Sequence, residues 1–382
     1  MSEPRKWIPK VIGAGVVVCL VALAYIAVAL GTSLRVPGAR RVRHALIHYE
    51  PRDPPIVAYA LTPYTGQLDK TQKYTAVELP GGMSLTEDNR LEWTPTHEDA
   101  PYATVRLETS GGERVDLRIH VVGIPQRVRE NLAQIHSGFS GTAHSYLAIG
   151  DSTSSSPKWM LELAEEPEQA LSPPWNKASG FVFLPRGFDY GSGGVWNSFR
   201  PLGQSEGGQT ASPSILEAAL RTTKAEFCTV AFGLYDGGQG IPPEAYKANL
   251  EAILGAVTSH GCIPVLCAPS RGAWPWIDMR PYIEVCREVA KKERVPLLDL
   301  DMLFENEHPL NAFWEAGAPA PSFDISLLGK AVDDYDKRTG YGVINRSLYY
   351  MHRYLIELGI LDAPAAVASA WEAAARAAPS VQ

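Results

Sequence analysis

Tyr146-Leu-Ala-Ile-Gly-Asp-Ser152 is the stretch on which the fold of this 382-residue chain turns. Tyr146 to Ile149 is a short apolar run, and Gly150, Asp151 and Ser152 end it. A run this short, closed by turn residues, predicts a buried strand. Three similar runs follow: Phe227-Cys-Thr-Val-Ala-Phe232 ending on Gly233, then Cys262-Ile-Pro-Val-Leu-Cys267, then Val295-Pro-Leu-Leu-Asp299. Helical stretches are expected between and after them, at Ile215–Arg221, Pro243–Ser259, Pro281–Lys291 and Gly342–Leu358. Strands separated by helices argue for a parallel sheet covered by helices. Such sheets bind ligands at the carboxyl ends of their strands. Gly150-Asp-Ser152 and Gly233-Leu-Tyr-Asp236 stand at two such ends and are predicted to face one crevice, with Asp151, Gly233 and Asp236 as candidate binding residues.

These residues carry a family resemblance. Ala148-Ile-Gly-Asp-Ser152 is similar to the first block of the SGNH/GDSL hydrolases, in which the serine is the nucleophile. Gly203-Gln-Ser-Glu-Gly207-Gly-Gln-Thr210 resembles their second block, whose inner glycine offers a backbone N–H to an oxyanion. Gly233-Leu-Tyr-Asp236 stands where the third block, usually Gly-x-Asn-Asp, is expected. The resemblance implies an SGNH-like (flavodoxin-like) three-layer α/β domain with a parallel sheet over residues 124–362. It also implies a serine esterase or deacylase.

The chemistry explains the residue types. A serine hydroxyl needs a base to take its proton, and the tetrahedral oxyanion must meet preplaced donors. The resemblance assigns Ser152 as nucleophile and the N–H groups of Ser152 and Gly207 as donors. The third donor, an asparagine in the family, is replaced by Tyr235. A phenol donates a hydrogen bond but reaches further than an amide. The family's base histidine stands in Asp-x-x-His just before the last helix, and Val332–Gly340 holds no histidine. The candidate base is therefore His308, in Glu305-Asn-Glu-His308-Pro, with Glu305 as its orienting acid and Asp236 or Asp324 as alternatives. The competing reading of His308 is a surface-loop histidine. His352 reads as a packing or surface residue of the last helix, and His144 lies at the opposite end of its strand from the crevice.

Toward the N-terminus, residues 54–123 alternate apolar and polar positions at Val105, Leu107, Val115, Leu117, Ile119 and Val121, with Gly111-Gly112 as the turn of a hairpin. Leu79-Pro-Gly-Gly-Met-Ser-Leu85 followed by Leu91-Glu-Trp-Thr-Pro-Thr96 resembles the Ig-like or cadherin-like modules of bacterial surface proteins. Trp93 departs from the small residue usual there, and no acidic calcium-ligand run is visible. The expectation is a small β-sandwich that acts as a spacer, after which residues from about Ile124 fold on a core of their own.

Val11–Leu30 is twenty residues without a charge. As a helix it would rise about 30 Å, enough to cross a bilayer core. Residues 1–34 are thus read as a cytoplasmic stub and transmembrane anchor, 35–53 as a linker, and 363–382 as an Ala-rich tail. Basic residues flank the apolar run on both sides, so charge sets no orientation. The family resemblance places the bulk outside the cytoplasm. Ala27-Val-Ala29 leaves open a cleaved signal peptide.

A net charge of −7 gives no attraction to phosphate backbones, so nucleic acid is not an expected partner. Cys228, Cys262, Cys267 and Cys286 have no zinc-site spacing and read as small buried hydrophobes. No metal and no cofactor is expected. The expected partners are the membrane and an ester substrate, with glycan O-acyl groups as one class. Two functional readings stand at this point. One is a membrane-anchored esterase of the cell envelope. The other is an SGNH-fold module without its catalytic base that binds envelope proteins in an assembly.

Overall fold

The computed structural model describes residues 55–151, 154, 182–183, 197–203, 214–271, 277–307, 340–363 and 368–369. The expected membrane anchor and linker lie outside them, as does nearly all of the Ala-rich tail. Among the described residues no helix is long and apolar enough to cross a membrane.

The N-terminal unit contains seven strands: β1 (Val57–Tyr59), β2 (Tyr64–Gln67), β3 (Tyr74–Glu78), β4 (Ser84–Leu85), β5 (Arg90–Trp93), β6 (Tyr102–Thr109) and β7 (Arg114–Val122). They form one sheet in the order β1-β7-β6-β3 and another in the order β2-β5-β4. The predicted hairpin is β6–β7, paired antiparallel from Tyr102↔His120 to Glu108↔Arg114. Alternate residues of β6 point inward, so Ala103, Val105 and Leu107 join Tyr64, Leu91 and Trp93 in one apolar core. The Trp93 indole also donates to the Gly81 carbonyl at 3.1 Å, which gives the unexpected tryptophan a buried partner for its polar edge.

The C-terminal unit begins with α1 (Gln126–His136) and continues with β8 (Thr142–Gly150), β9 (Val182–Phe183), α2 (Ile215–Thr223), β10 (Ala225–Ala231), α3 (Leu234–Gly238), α4 (Pro243–Ser259), β11 (Ile263–Ala268), α5 (Arg280–Glu293), β12 (Leu297–Asp299), α6 (Leu300–Glu307) and α7 (Gly340–Glu357). The sheet order is β9-β8-β10-β11-β12, and every pairing is parallel. Counted within the sheet this is 2-1-3-4-5, the flavodoxin-like doubly wound order, which reverses direction between its first and third strands. The α/β expectation is met. Its central strands are buried along their whole length, as both faces of a parallel sheet must be. Cys228, Cys262, Cys267 and Cys286 are buried and unbridged, and burial pushes the Cys286 thiol up to about 12.

Each unit has an apolar cluster of its own, and a third cluster is shared between them. One apolar cluster holds Ile56, Val57, Ala60, Val122 and Ile124 together with Leu348, Tyr354, Leu355 and Ile360 of the last helix region. Tyr354 donates from its hydroxyl to the Ala60 carbonyl at 2.6 Å, and Tyr59 bonds Ser347 at 3.1 Å. A buried polar knot crosses the same junction. The Asp299 carboxylate accepts from the Tyr102 hydroxyl at 2.5 Å and from Arg287 Nε at 2.8 Å. His120 Nε2 accepts from the Asp299 N–H at 3.3 Å, so Nδ1 carries the proton and donates to the Pro101 carbonyl at 2.9 Å. Burial alone would raise the Asp299 pKa. The positive charge of Arg287 and the donors from Tyr102 and Arg287 outweigh burial and hold it below the usual carboxylate range. Because His120 accepts through Nε2 the ring is neutral there, and Arg287 is the countercharge. The residues from Ile124 onward have a core cluster of their own, and in addition the β unit covers part of the face of α7.

His352 packs at 4.7 Å from the Phe227 ring, between α7 and the sheet. Burial, aided by repulsion from His144, depresses its pKa from 6.5 to about 3. The unfolded chain therefore binds more protons between those two values. The stability contributed by neutral His352 is complete above 6.5 and drains away as pH falls toward 3. One such group gives a slope of up to about 1.4 kcal/mol per pH unit. Urea unfolding followed from about pH 7 to about pH 4 should show this decline, and His352→Phe should flatten it. An unchanged slope in that variant would assign the acid sensitivity to other groups.

Candidate active-site crevice

The crevice is built where β8 and β10 end. The two strands pair in register from Phe227↔Tyr146 to Ala231↔Gly150, so their carboxyl ends are neighbours. The chain turns away at Gly150-Asp151 on one strand and at Gly233 on the other. Both glycines are required. A Cβ on Gly150 would lie 2.3 Å from Ser154 Oγ and 2.4 Å from the Ala231 carbonyl oxygen. Gly233 has φ +120°, a conformation that L side chains rarely adopt, and a Cβ there would meet Pro269 at 2.7 Å and the Tyr246 hydroxyl at 2.9 Å. The strand ends thus approach their neighbours more closely than any side chain permits.

Asp236 holds the turn after β10. It is fully buried. Its carboxylate accepts from the Gly233 N–H at 3.1 Å, from the Ser198 N–H at 3.0 Å and from the Ser198 hydroxyl at 2.5 Å. Asn249 of α4 donates to Ser198 Oγ at 2.9 Å. Burial raises the Asp236 pKa, while the donors from Ser198 and Gly233 act in the opposite direction. This differs from the roles expected for Asp236 as a ligand contact or orienting acid. A carboxylate with no exposed surface, engaged by three donors, positions the backbone around the crevice. It fastens residues 197–203, which lead into the glycine block, to the turn after β10.

Gly233 is likewise buried as the N-cap of α3, and Asp151 is almost fully buried. Tyr235 is half-buried on the first turn of α3, close to the glycine turn. Ser152, Gly207, His308 and Asp324 lie outside the described residues. Of Glu305 only its place in the helix α6 is described. The structure therefore brings together Gly150, Asp151, Gly233 and Asp236, with Tyr235 beside them. His144 and His136 sit at the other end of the sheet, where the buried Glu226 carboxylate accepts from the His144 N–H and pairs with His136 Nε2 at 3.0 Å.

Sequence reading missed Ser198 and Asn249. Ser198 leaves no signal, since nothing local marks a serine whose partner is 38 residues away. Asn249 does leave one. The buried face of α4 is Tyr246, Asn249, Leu250, Ile253, Leu254 and Val257, and a lone amide in an apolar stripe demands a buried partner.

No protein-family model matches the chain, and no curated protein matches it. Among solved structures, the chain is similar to a psychrotrophic esterase from Pseudoalteromonas sp., with 13% identity over 56% of this chain and 99% of that one, at a TM-score of 0.37. It is similar to a lipase/acylhydrolase from Enterococcus faecalis, with 15% identity over 58% of this chain and 98% of the other, at 0.38. It is also similar to an acetylxylan esterase from Geobacillus stearothermophilus, with 14% identity over 57% of this chain and 95% of the other, at 0.37.

Proposed function

We propose that this chain is a serine ester hydrolase of the SGNH type, anchored in a membrane by Val11–Leu30 with its bulk outside the cytoplasm, and acting on ester groups such as the O-acyl groups of envelope glycans. The observation that carries this reading is the meeting of two motif blocks at one place. Gly150-Asp151, which leads into Ser152, and Gly233, which opens the third block, end neighbouring parallel strands. This is where ligands of a doubly wound sheet bind. The Asp236–Ser198 link supports it, because it draws the segment preceding Gly207 toward the same end.

In this mechanism Ser152 Oγ attacks the acyl carbon while His308 takes its proton, and Glu305 orients the imidazole. The N–H groups of Ser152 and Gly207 receive the oxyanion, with Tyr235 in the place of the third donor. The proton passes from His308 to the departing alkoxide. Water then attacks the acyl-serine with His308 as base again, releasing the acid and restoring the serine. The β unit, as a small Ig-like or cadherin-like sandwich, holds the crevice at a fixed distance from the bilayer.

Tyr235 favours a second reading, in which the crevice has lost its chemistry and serves as a binding surface in an envelope assembly. The test uses carbonate-washed membranes carrying the full chain, treated with a fluorophosphonate probe and with short p-nitrophenyl esters. Labelling of the membrane-held protein, blocked by prior incubation with substrate, is the expected result. Absence of both labelling and turnover in correctly folded protein leaves the assembly reading.

A further inference from the structure

A cleft of ≈ 370 Å³ opens at the junction of the two units, lined from β6 and β7, from the start of α1, from the last turns of α5 and from the segment that leads into β12. It lies by the amino end of β12, whereas the crevice occupies the carboxyl ends of β8 and β10. Arg118, Arg127, Arg287, Lys291 and Arg294 line it, and Glu288 is the one acidic residue that does. The chain as a whole carries −7, so this basic lining runs against the global charge.

Two of these six charges are already compensated by protein partners. The Glu288 carboxylate is bonded to Lys247 at 2.8 Å. Arg287 is tied to Asp299 at 2.7 Å and belongs to the structural knot. Among the described residues, no carboxylate lies within ion-pair distance of Arg118, Arg127, Lys291 or Arg294. Arg118 is fixed by its guanidinium stacking 3.8 Å above the Tyr102 ring. The start of α1 contributes Pro125, Arg127 and Val128 to the same wall, while its first N–H, that of Gln126, is already taken by the Glu98 carboxylate at 2.8 Å.

From this we infer that the junction cleft is a binding site for a phosphate monoester group. Four uncompensated cations around one concavity repel one another, and a ligand with a single negative charge leaves most of that repulsion in place. A phosphate monoester carries about −1.5 to −2 charge and three acceptor oxygens. Guanidinium groups match it with paired donors, and three of the four free cations are arginines. The cleft volume falls in the range of small-ligand sites and accommodates a sugar-sized body behind the phosphate. The inference is independent of the crevice chemistry and holds whether or not Ser152 is a nucleophile.

The experiment is titration calorimetry on the full chain in a non-ionic detergent and a phosphate-free buffer, with glucose 6-phosphate and inorganic phosphate as probes. Saturable binding of glucose 6-phosphate is expected, weakening as salt is added. Arg127→Glu with Arg294→Glu should weaken it by at least about tenfold, roughly the effect of 1.4 kcal/mol. Both residues are exposed, so melting temperature and circular dichroism should remain as in the parent. If the double variant misfolds, Arg127→Ala and Arg294→Ala tested singly must each weaken binding. Tighter binding of the sugar phosphate points to a phosphorylated glycan as the source, and equal binding to free phosphate. Failure of both probes to bind the parent protein, or unchanged affinity in folded variants, overturns the assignment.

Discussion

Ser152→Ala and His308→Ala are each expected to reduce turnover of p-nitrophenyl esters by on the order of 10⁴-fold or more, and each should abolish fluorophosphonate labelling. In such a site the nucleophile and the base act as a unit. Without the imidazole the serine hydroxyl keeps its proton, and without the serine the imidazole has nothing to activate. The double variant should be little worse than either single one, since each already removes the covalent route. Residual turnover would come from the oxyanion donors at Ser152 and Gly207. Tyr235→Asn separates two roles for the phenol: a fall in rate marks a recruited donor, and an unchanged or higher rate marks a space-filling residue. Full activity in His308→Ala would remove His308 from the mechanism, and full activity in Ser152→Ala would end the hydrolase reading of this crevice.

Asp299→Ala should destabilise the protein by about 3 kcal/mol, because several buried donors lose their acceptor at once, although Arg287 keeps Glu284 and Asp301 as acidic neighbours. Asp299 is fully buried and Arg287 has only 13% of its side-chain surface exposed, so water cannot replace the lost carboxylate. The Tyr102 hydroxyl loses its acceptor, and so does the Met302 N–H, which lies 3.2 Å from Asp299 Oδ1. Such a loss is a large part of the total stability of an ordinary domain. Urea unfolding read by tryptophan fluorescence, which includes Trp93 in the β unit, and by far-ultraviolet circular dichroism should give one coincident transition in the parent protein. In Asp299→Ala the midpoint should drop sharply. A chain beginning at Ile124 should fail to fold cooperatively, because it uncovers Leu348, Tyr354 and Leu355. A stable, cooperative fragment from Ile124 would support the picture of a detachable spacer.

The parallel α/β unit was legible because its strands are apolar along their length and its helices amphipathic. Pro243–Ser259 was read to the residue. The third strand was read as Phe227–Phe232 and is Ala225–Ala231, because Glu226 interrupts the apolar run and yet is buried, satisfied by His136 and the His144 N–H. Helix α1 went unread although Val128, Leu132 and Ile135 follow helical spacing, since charged residues dominate the stretch. The two-residue strand β9 has no local signature and exists only through its pairing with β8. At the crevice, glycines at strand ends were legible because they mark where the backbone must turn. The true role of Asp236 was not, since its partner Ser198 lies 38 residues upstream. The Tyr102–Asp299 contact spans 197 residues, and no pattern in a single sequence links the two.

The junction knot also has a consequence for how such a gene can change. A recombination point placed in the short connection between β7 and α1, at residues 123–125, looks harmless on a linear map. Its product would inherit Tyr102 and His120 from one parent and Asp299 and Arg287 from the other, and an incoming β unit lacking Tyr102 or His120 would leave the buried Asp299 carboxylate short of a donor or its N–H without an acceptor. Exchange of the N-terminal unit therefore requires matched changes on both sides at once, so the two halves are expected to descend together as one heritable block.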